Sequence, residues 1–292
     1  MNTINTNTEK TGLLTRIEHK FNIYEQITER VCKMLEQGVA PWTKPWTVNR
    51  GMPKNLISKK CYRGINTWLL HACQYESPFW LTMNQANELG ARIRKGEKAC
   101  PVVFWRQVDI KDKETGEDTK VPFMRFYYVW NTAQIDGLKN QPAIEAQPTT
   151  APAQVIAGYP NAPQIRHGMA AAFYDPSQDF VGMPNPDNFT HEADYYATVF
   201  HELVHSTGHP SRLDRLTKGT FGSESYSKEE LTAEMGSAFL CGVAGVERQL
   251  EQSAAYLKGW MSALKQDNKL IIQAAAAAQK AADHILGTKM TE

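Results

Sequence analysis

The stretch His201-Glu202-Leu203-Val204-His205 decides how the C-terminal half of this 292-residue chain is read. Two histidines four apart on an α-helix emerge on one face, where both imidazoles can share one metal ion. Glu202 follows the first histidine and is placed to act as a general base toward water at that ion. This reading requires a helix, and the flanking residues supply one. Thr190 is the expected N-cap, and Glu192 and Asp194 fall in the first turn, where carboxylates complement the helix dipole. Tyr195, Val199 and Leu203 form an apolar face, and Gly208 and Pro210 stop the helix. Five residues with three fixed identities also arise by chance on ordinary helices, so the rest of the centre has to be found elsewhere in the chain.

A catalytic metal usually has three protein ligands and one open position. One extension of the motif places a third histidine six residues after the second, but Ser211 stands there and His209 is displaced by two. The other route takes a glutamate from a second helix. Ser227-Lys228-Glu229-Glu230-Leu231-Thr232-Ala233-Glu234 reads as the opening of such a helix, with Ser227 as N-cap. Glu230 and Glu234 share one face of it. Glu230 is assigned to the metal and Glu234 to the outer position that steadies a ligand histidine, with Glu229 as the fallback ligand. The competing reading is that Glu230 only completes a capping box with Ser227. Tyr226 and His209 are the side chains named for stabilising an oxyanion.

Taken together, these residues resemble the glutamate-ligand zincins. The wider run of Tyr195-Tyr196-Ala197-Thr198-Val199-Phe200 into residues 201–209, with Arg212-Leu213 and Glu229 to Glu234, is more specifically similar to the ArdC antirestriction family. So are Gly38-Val39-Ala40-Pro41-Trp42, Pro45-Trp46, Tyr62-Arg63-Gly64-Ile65-Asn66 and Lys95-Gly96-Glu97-Lys98 in the N-terminal half. The resemblance implies a single-stranded-DNA-binding domain joined to a metallopeptidase-like domain. It also implies plasmid carriage and protection of incoming DNA from restriction during conjugation. Zn²⁺ is the expected cofactor, and Mn²⁺ or another divalent ion suits the same donors.

The N-terminal half supports a nucleic-acid reading on its own residues. Residues 1–140 carry 21 Lys and Arg against 14 Asp and Glu, a net +7, whereas residues 141–292 carry 11 against 17, a net −6. Between Lys44 and Arg106, eleven basic residues stand against Glu76, Glu88 and Glu97, with Trp and Tyr interleaved. Positive charge follows phosphates, and aromatic faces stack on unpaired bases, which duplex DNA hides. The expected contacts are Trp42, Lys44, Trp46, Lys59, Lys60, Tyr62, Arg63, Arg92, Arg94, Lys95 and Lys98. Against this, Trp and Phe are first of all core residues, and lysine pairs are often solvated faces.

The fold class expected is α+β in two domains. Residues 1–12 read as disordered, 13–140 as the DNA-binding domain, 141–163 as a Pro/Ala-rich linker, and 164–292 as a mostly helical zincin-like domain with a small sheet. Helices are expected over 17–37, 66–75, 82–94, 256–264 and 271–286. Strands over 101–110 and 121–131 form one hairpin, and 170–174 with 180–183 form another. The chain is 42% hydrophobic and 22% charged, as in a globular protein. It has no 18-residue apolar run, no signal peptide, and five scattered cysteines. A cytoplasmic protein with reduced thiols and no membrane span is the expectation. Two other functions fit the same residues. One is a DNA-binding module whose metal site is structural or vestigial, and the other is a regulatory metallopeptidase cleaving a repressor or restriction-related protein.

Overall fold

In the computed structural model, described for residues 22–42, 51–111, 118–139, 142, 149–216, 224–247 and 253–288, helices and three small sheets alternate along the chain. The first helix, α1, spans Ile23–Glu36. Its N-cap is Asn22, whose side chain accepts from the Tyr24 N–H, and Gly38, at φ +80°, allows the chain to turn out of the helix. Ile23, Ile27, Val31 and Leu35 recur at helical spacing and are buried.

Next come β1 (Lys54–Asn55), α2 (Ile65–His71), β2 (Phe79–Thr82), α3 (Met83–Glu88), β3 (Arg92–Ile93), β4 (Cys100–Lys111), β5 (Asp118–Asn131) and β6 (Ile135–Asp136). The capping box expected at Thr82 and Gln85 is present, but the helix it opens ends at Glu88, and Arg92 and Ile93 are strand instead. Strands β4 and β5 form the expected hairpin in antiparallel register from Cys100↔Val129 to Lys111↔Asp118. With β2 and β1 they make a four-stranded sheet in the order β1-β2-β5-β4, while β3 pairs with β6. Asn66 ties α2 to this sheet: its amide donates to the Val103 carbonyl at 2.7 Å and accepts the Val103 N–H at 2.8 Å.

The segment expected to be a linker contributes α4 (Pro152–Ala157), with Val155 and Tyr159 buried behind it. Thr150 N–H bonds to the Val243 carbonyl, so part of this stretch packs on the C-terminal half. The residues at 1–12 lie outside the described part. A three-stranded sheet follows, β7 (Gln164–His167), β8 (Phe173–Asp175) and β9 (Phe180–Met183), in the order β7-β9-β8. The β8–β9 hairpin is the expected one; β7, parallel to β9, was not legible in the sequence. The C-terminal half is otherwise helical: α5 (Glu192–Ser206), α6 (Glu224–Ala244), α7 (Ala254–Gln266) and α8 (Leu270–Ile285).

Helix α5 packs between the β8–β9 hairpin and α6, and α8 covers α6. Helix α1 from the N-terminal half lies on α7, and α2 touches α8. One apolar cluster therefore runs through both halves, from Ile27 and Trp68 to Phe200, Phe239 and Ile271. Each such side chain contributes about 1.5–3 kcal/mol by leaving water. A smaller cluster of Leu56, Phe79, Leu81, Ala86, Ala91 and Ile135 sits under α3. Among the described residues, no helix is long and apolar enough to cross a membrane.

Candidate metal centre and nucleic-acid interface

Helices α5 and α6 approach closely because of small residues at their crossing. A Cβ built on Gly236 would stand 2.8 Å from both methyl groups of Val204. At the next residue of α6, the Ser237 hydroxyl donates to the Ala197 carbonyl at 2.8 Å. This contact fixes which face of α6 looks at the histidines. The N-cap of α5 is His191, without a side-chain cap bond, rather than Thr190. Helix α6 begins at Glu224, so Ser227 is inside the helix and the capping box with Glu230 does not form.

His201 Nε2 and His205 Nε2 lie 3.1 Å apart. The Glu230 carboxylate stands 3.6 Å from each of them, through Oε2 and Oε1 respectively. An ion bound at about 2.0–2.2 Å to nitrogen and oxygen separates its tetrahedral ligands by roughly 3.3 Å. The two imidazoles and the carboxylate fit that requirement, and their ligand atoms all lie within 4.8 Å of one another. Glu202 is 8% exposed and lines the same cleft as these three residues. The cleft is open to solvent, with a volume of about 1280 Å³. Its walls are Phe173 and Tyr174 of β8 on one side and Lys228, Ala276 and Lys280 on the other.

The carboxylate hydrogen-bonded to a motif histidine is Glu229, whereas Glu234, expected in that place, bonds elsewhere. Glu229 Oε1 meets His205 Nδ1 at 3.0 Å. Arg215 holds Glu229 in turn with two bonds of 2.9 Å, one to each oxygen, and also donates to the Val204 carbonyl. Glu229 is thereby occupied outside the ligand position that was its fallback role. Burial of the His205 ring works against its cation, but the bond and charge of Glu229, joined by Glu202 and Glu230, outweigh it and hold His205 above the ordinary imidazole value. Burial likewise opposes the Glu229 anion, and His205 and Arg215 outweigh it, so Glu229 is held below the usual carboxylate range.

Glu234 faces the N-terminal half instead. Its Oε2 accepts the Trp42 indole N–H at 2.9 Å and the Tyr256 hydroxyl. Burial raises the Glu234 carboxyl above its usual value, although Tyr256, His201 and Trp42 act the other way. His209 bonds to Ser211 Oγ through Nδ1 and is not among the residues lining the cleft. The side chain of Tyr226 lies outside the described part.

The nucleic-acid residues divide in three. Trp42 is 1% exposed and Tyr62 is 7% exposed, so neither ring can stack on a base; both belong to the core. Lys44 and Trp46 lie outside the described residues. Lys59, Lys60, Arg63, Arg92, Arg94, Lys95 and Lys98 are all exposed. Of these, Arg63 pairs with Asp283 of α8, and Arg94 pairs with Glu97 at 2.8 Å. Phe104, one of the aromatics interleaved with the basic run but not among the expected contacts, is 45% exposed on the β4–β5 hairpin, and the sequence reading missed its neighbours Tyr127 at 43%, Tyr128 and Phe126. Phe104 and Tyr127 meet edge to face at 5.6 Å, and Phe126 and Tyr128 at 5.8 Å. The run Phe126-Tyr127-Tyr128 breaks the apolar/polar alternation of a half-buried strand, and that was the available signal.

Residues 21–130 match the N-terminal domain of anti-restriction factor ArdC, and residues 158–277 match the zincin-like metallopeptidase family. A DNA primase TraC of Escherichia coli is 39% identical over 92% of this chain, which spans only 27% of that protein's length. The uncharacterized protein y4eC of Sinorhizobium fredii is 35% identical over 90% of this chain and 91% of its own. The crystal structure of the antirestriction ArdC protein from plasmid R388 has a TM-score of 0.75 in its metal-free form, at 37% identity, covering 92% of this chain and all of that one. Its Mn(II)-bound form gives the same score over 91% of this chain and 98% of its own. With likeness running through both halves and over full-length relatives, the chain belongs to the ArdC antirestriction family.

Proposed function

We propose that this chain binds single-stranded DNA through its N-terminal half, protects DNA from restriction during conjugation, and carries a divalent-metal hydrolytic centre in its C-terminal half. The observation that carries the second part is the meeting of His201, His205 and Glu230 beside Glu202 in an open cleft. The donor set suits Zn²⁺ and Mn²⁺ alike. When bound, the ion supplies Lewis acidity toward a peptide carbonyl or a water. Glu202 takes a proton from the attacking water and returns it to the leaving amine. Glu229 and Arg215 keep the His205 ring turned so that Nε2 faces the centre. Strand β8 lies at the edge of its sheet along the cleft and offers backbone groups to an extended peptide.

On the DNA side, the exposed lysines and arginines neutralise phosphates, and the rings of the β4–β5 hairpin provide faces for unpaired bases. Purified protein is tested by gel shift with single-stranded and duplex oligonucleotides at two salt concentrations, and by metal analysis. Preferential single-strand binding that weakens with salt, and metal retained by the native chain but lost in His201→Ala, are the expected results. Equal affinity for duplex would remove the first part, and unchanged metal content in His201→Ala the second. Protection in a conjugation assay that survives Glu202→Ala would show that hydrolysis is not needed for it.

A further inference from the structure

Away from the metal cleft, the N-terminal half brings two cysteines and an arginine together where α1, the end of α2 and the start of β4 meet. Arg30 of α1 points its Nη2 at Cys73 Sγ, 3.1 Å away. Cys73 follows α2 and directs its sulfur at the Leu69 carbonyl at 3.4 Å. Cys100, the first residue of β4, directs its sulfur at the same carbonyl at 3.5 Å. The two sulfurs thus converge on one carbonyl oxygen, at 3.4 and 3.5 Å from it. Cys73 is part-exposed and Cys100 is buried.

From this cluster we propose that Cys73 is a peroxide-reactive thiolate and Cys100 its resolving partner. A guanidinium against the sulfur favours the thiolate, which is the nucleophilic form. The hydrogen bond from Cys100 and the charge of Arg30 overcome burial and lower Cys73 to about 7. The Cys100 thiol moves in the opposite direction, through its bond to Cys73 and through burial, so it stays protonated until it is needed. The remaining cysteines lack this arrangement. Cys32 and Cys241 are buried, and Cys61, the exposed one, is raised by burial of its sulfur despite Lys54 and Arg63 nearby.

The chemistry balances with a hydroperoxide as oxidant. The Cys73 thiolate attacks one peroxide oxygen; an S–O bond forms, the O–O bond breaks, and the departing alkoxide or hydroxide takes up a proton. Cys73 is now a sulfenic acid, oxidised by two electrons. The Cys100 sulfur then attacks it, the S–S bond forms, and the sulfenic oxygen leaves as water with the Cys100 proton. The product joins α2 to β4 and closes the loop that carries Arg92, Arg94, Lys95 and Lys98.

Cysteine exposure and cysteine reactivity make opposite forecasts here, which gives a test on the unmodified protein. The full chain is treated at pH 7 with limiting iodoacetamide and, separately, with hydrogen peroxide, and each cysteine is quantified by peptide mass spectrometry. Cys73 is expected to alkylate before the more exposed Cys61, and peroxide is expected to give a Cys73–Cys100 disulfide. Cys100→Ser should leave a sulfenic acid at Cys73 that dimedone traps. Arg30→Met should slow alkylation of Cys73 by about threefold at pH 7, since it removes the cation that favours the thiolate while the Cys100 bond stays. Faster labelling of Cys61, or peroxide products that leave Cys73 and Cys100 reduced, overturns the proposal.

Discussion

The indole N–H of Trp42 donates to the half-buried carboxylate of Glu234 at 2.9 Å, across 192 residues of sequence. Trp42 belongs to the N-terminal half, and Glu234 lies one helical turn beyond Glu230 of the candidate metal centre. The Tyr256 hydroxyl reaches the same oxygen, and Trp260 packs edge-on against the Trp42 ring at 6.3 Å. The two halves of the chain are therefore joined by a polar bond inside an apolar interface, directly behind the candidate centre.

Trp42→Phe keeps most of the ring and deletes the donor. It should destabilise the chain by about 0.5–1.5 kcal/mol, the net contribution of one hydrogen bond, because Glu234 Oε2 keeps its Tyr256 donor. Urea unfolding of the full chain measures this. Single-strand affinity measured on folded protein should not change, because Trp42 is not at the surface. A loss of DNA binding without a loss of stability would return Trp42 to the interface.

Tyr127→Ala, on the exposed hairpin, should do the reverse. Stability should hold within about 0.5 kcal/mol, as for surface positions, while single-strand affinity falls by about 1–3 kcal/mol. Fluorescence anisotropy with a labelled oligonucleotide reads the affinity. Because stacking is not ionic, the salt dependence should keep its slope.

Glu229→Gln should weaken metal binding by about 10–100-fold at alkaline pH, since His205 loses its charged support. The pH dependence should shift as well. In the native chain His205 is held above its ordinary value, so protons compete with the metal from a higher pH than a free imidazole would allow. Without the Glu229 charge the His205 value falls, and the acid loss of metal should move to lower pH. Chelator competition across pH resolves both effects; an unchanged acid limb would mean that Glu229 does not set the His205 proton.

Gly236→Ala should destabilise the chain even though alanine is the better helix former. The helix gain is about 1 kcal/mol, and forcing a Cβ against Val204 costs about 1–3 kcal/mol when the neighbours cannot shift. Adding Val204→Ala should recover part of the loss, a coupling that a double-mutant cycle measures. Additive losses would place the strain elsewhere.

Arg212, almost wholly buried, makes a two-pronged pair with Asp179, each bond 2.9 Å long. Burial opposes the Asp179 anion, but Arg212 and Tyr174 outweigh it and keep Asp179 below the ordinary carboxylate value. A depressed carboxylate contributes stability that is present above its unfolded value and is lost as pH falls toward its folded one. Unfolding midpoints should therefore decline below the ordinary aspartate range, and Asp179→Asn should be less stable at neutral pH and show a shallower acid decline. An identical acid slope in Asp179→Asn would assign the pH dependence to other groups.

The sequence by itself determined the pairing of His201 with His205, because a spacing of four leaves a helix no choice of face. It determined the Thr82 capping box, the β4–β5 hairpin and the two closing helices in the same local way. Only the tertiary structure decided which glutamate does what. Glu229, Glu230 and Glu234 all lie on α6, and the rotation of that helix is set by Gly236 settling against Val204, a contact between residues 32 apart. The same holds for Trp42 and Tyr62. Their chemistry suits either a stacking surface or a core, and burial by α7, α8 and the sheet, all distant in sequence, selects the core. Local spacing fixes directions within one element, whereas the facing of one element toward another is a packing outcome that no single segment encodes.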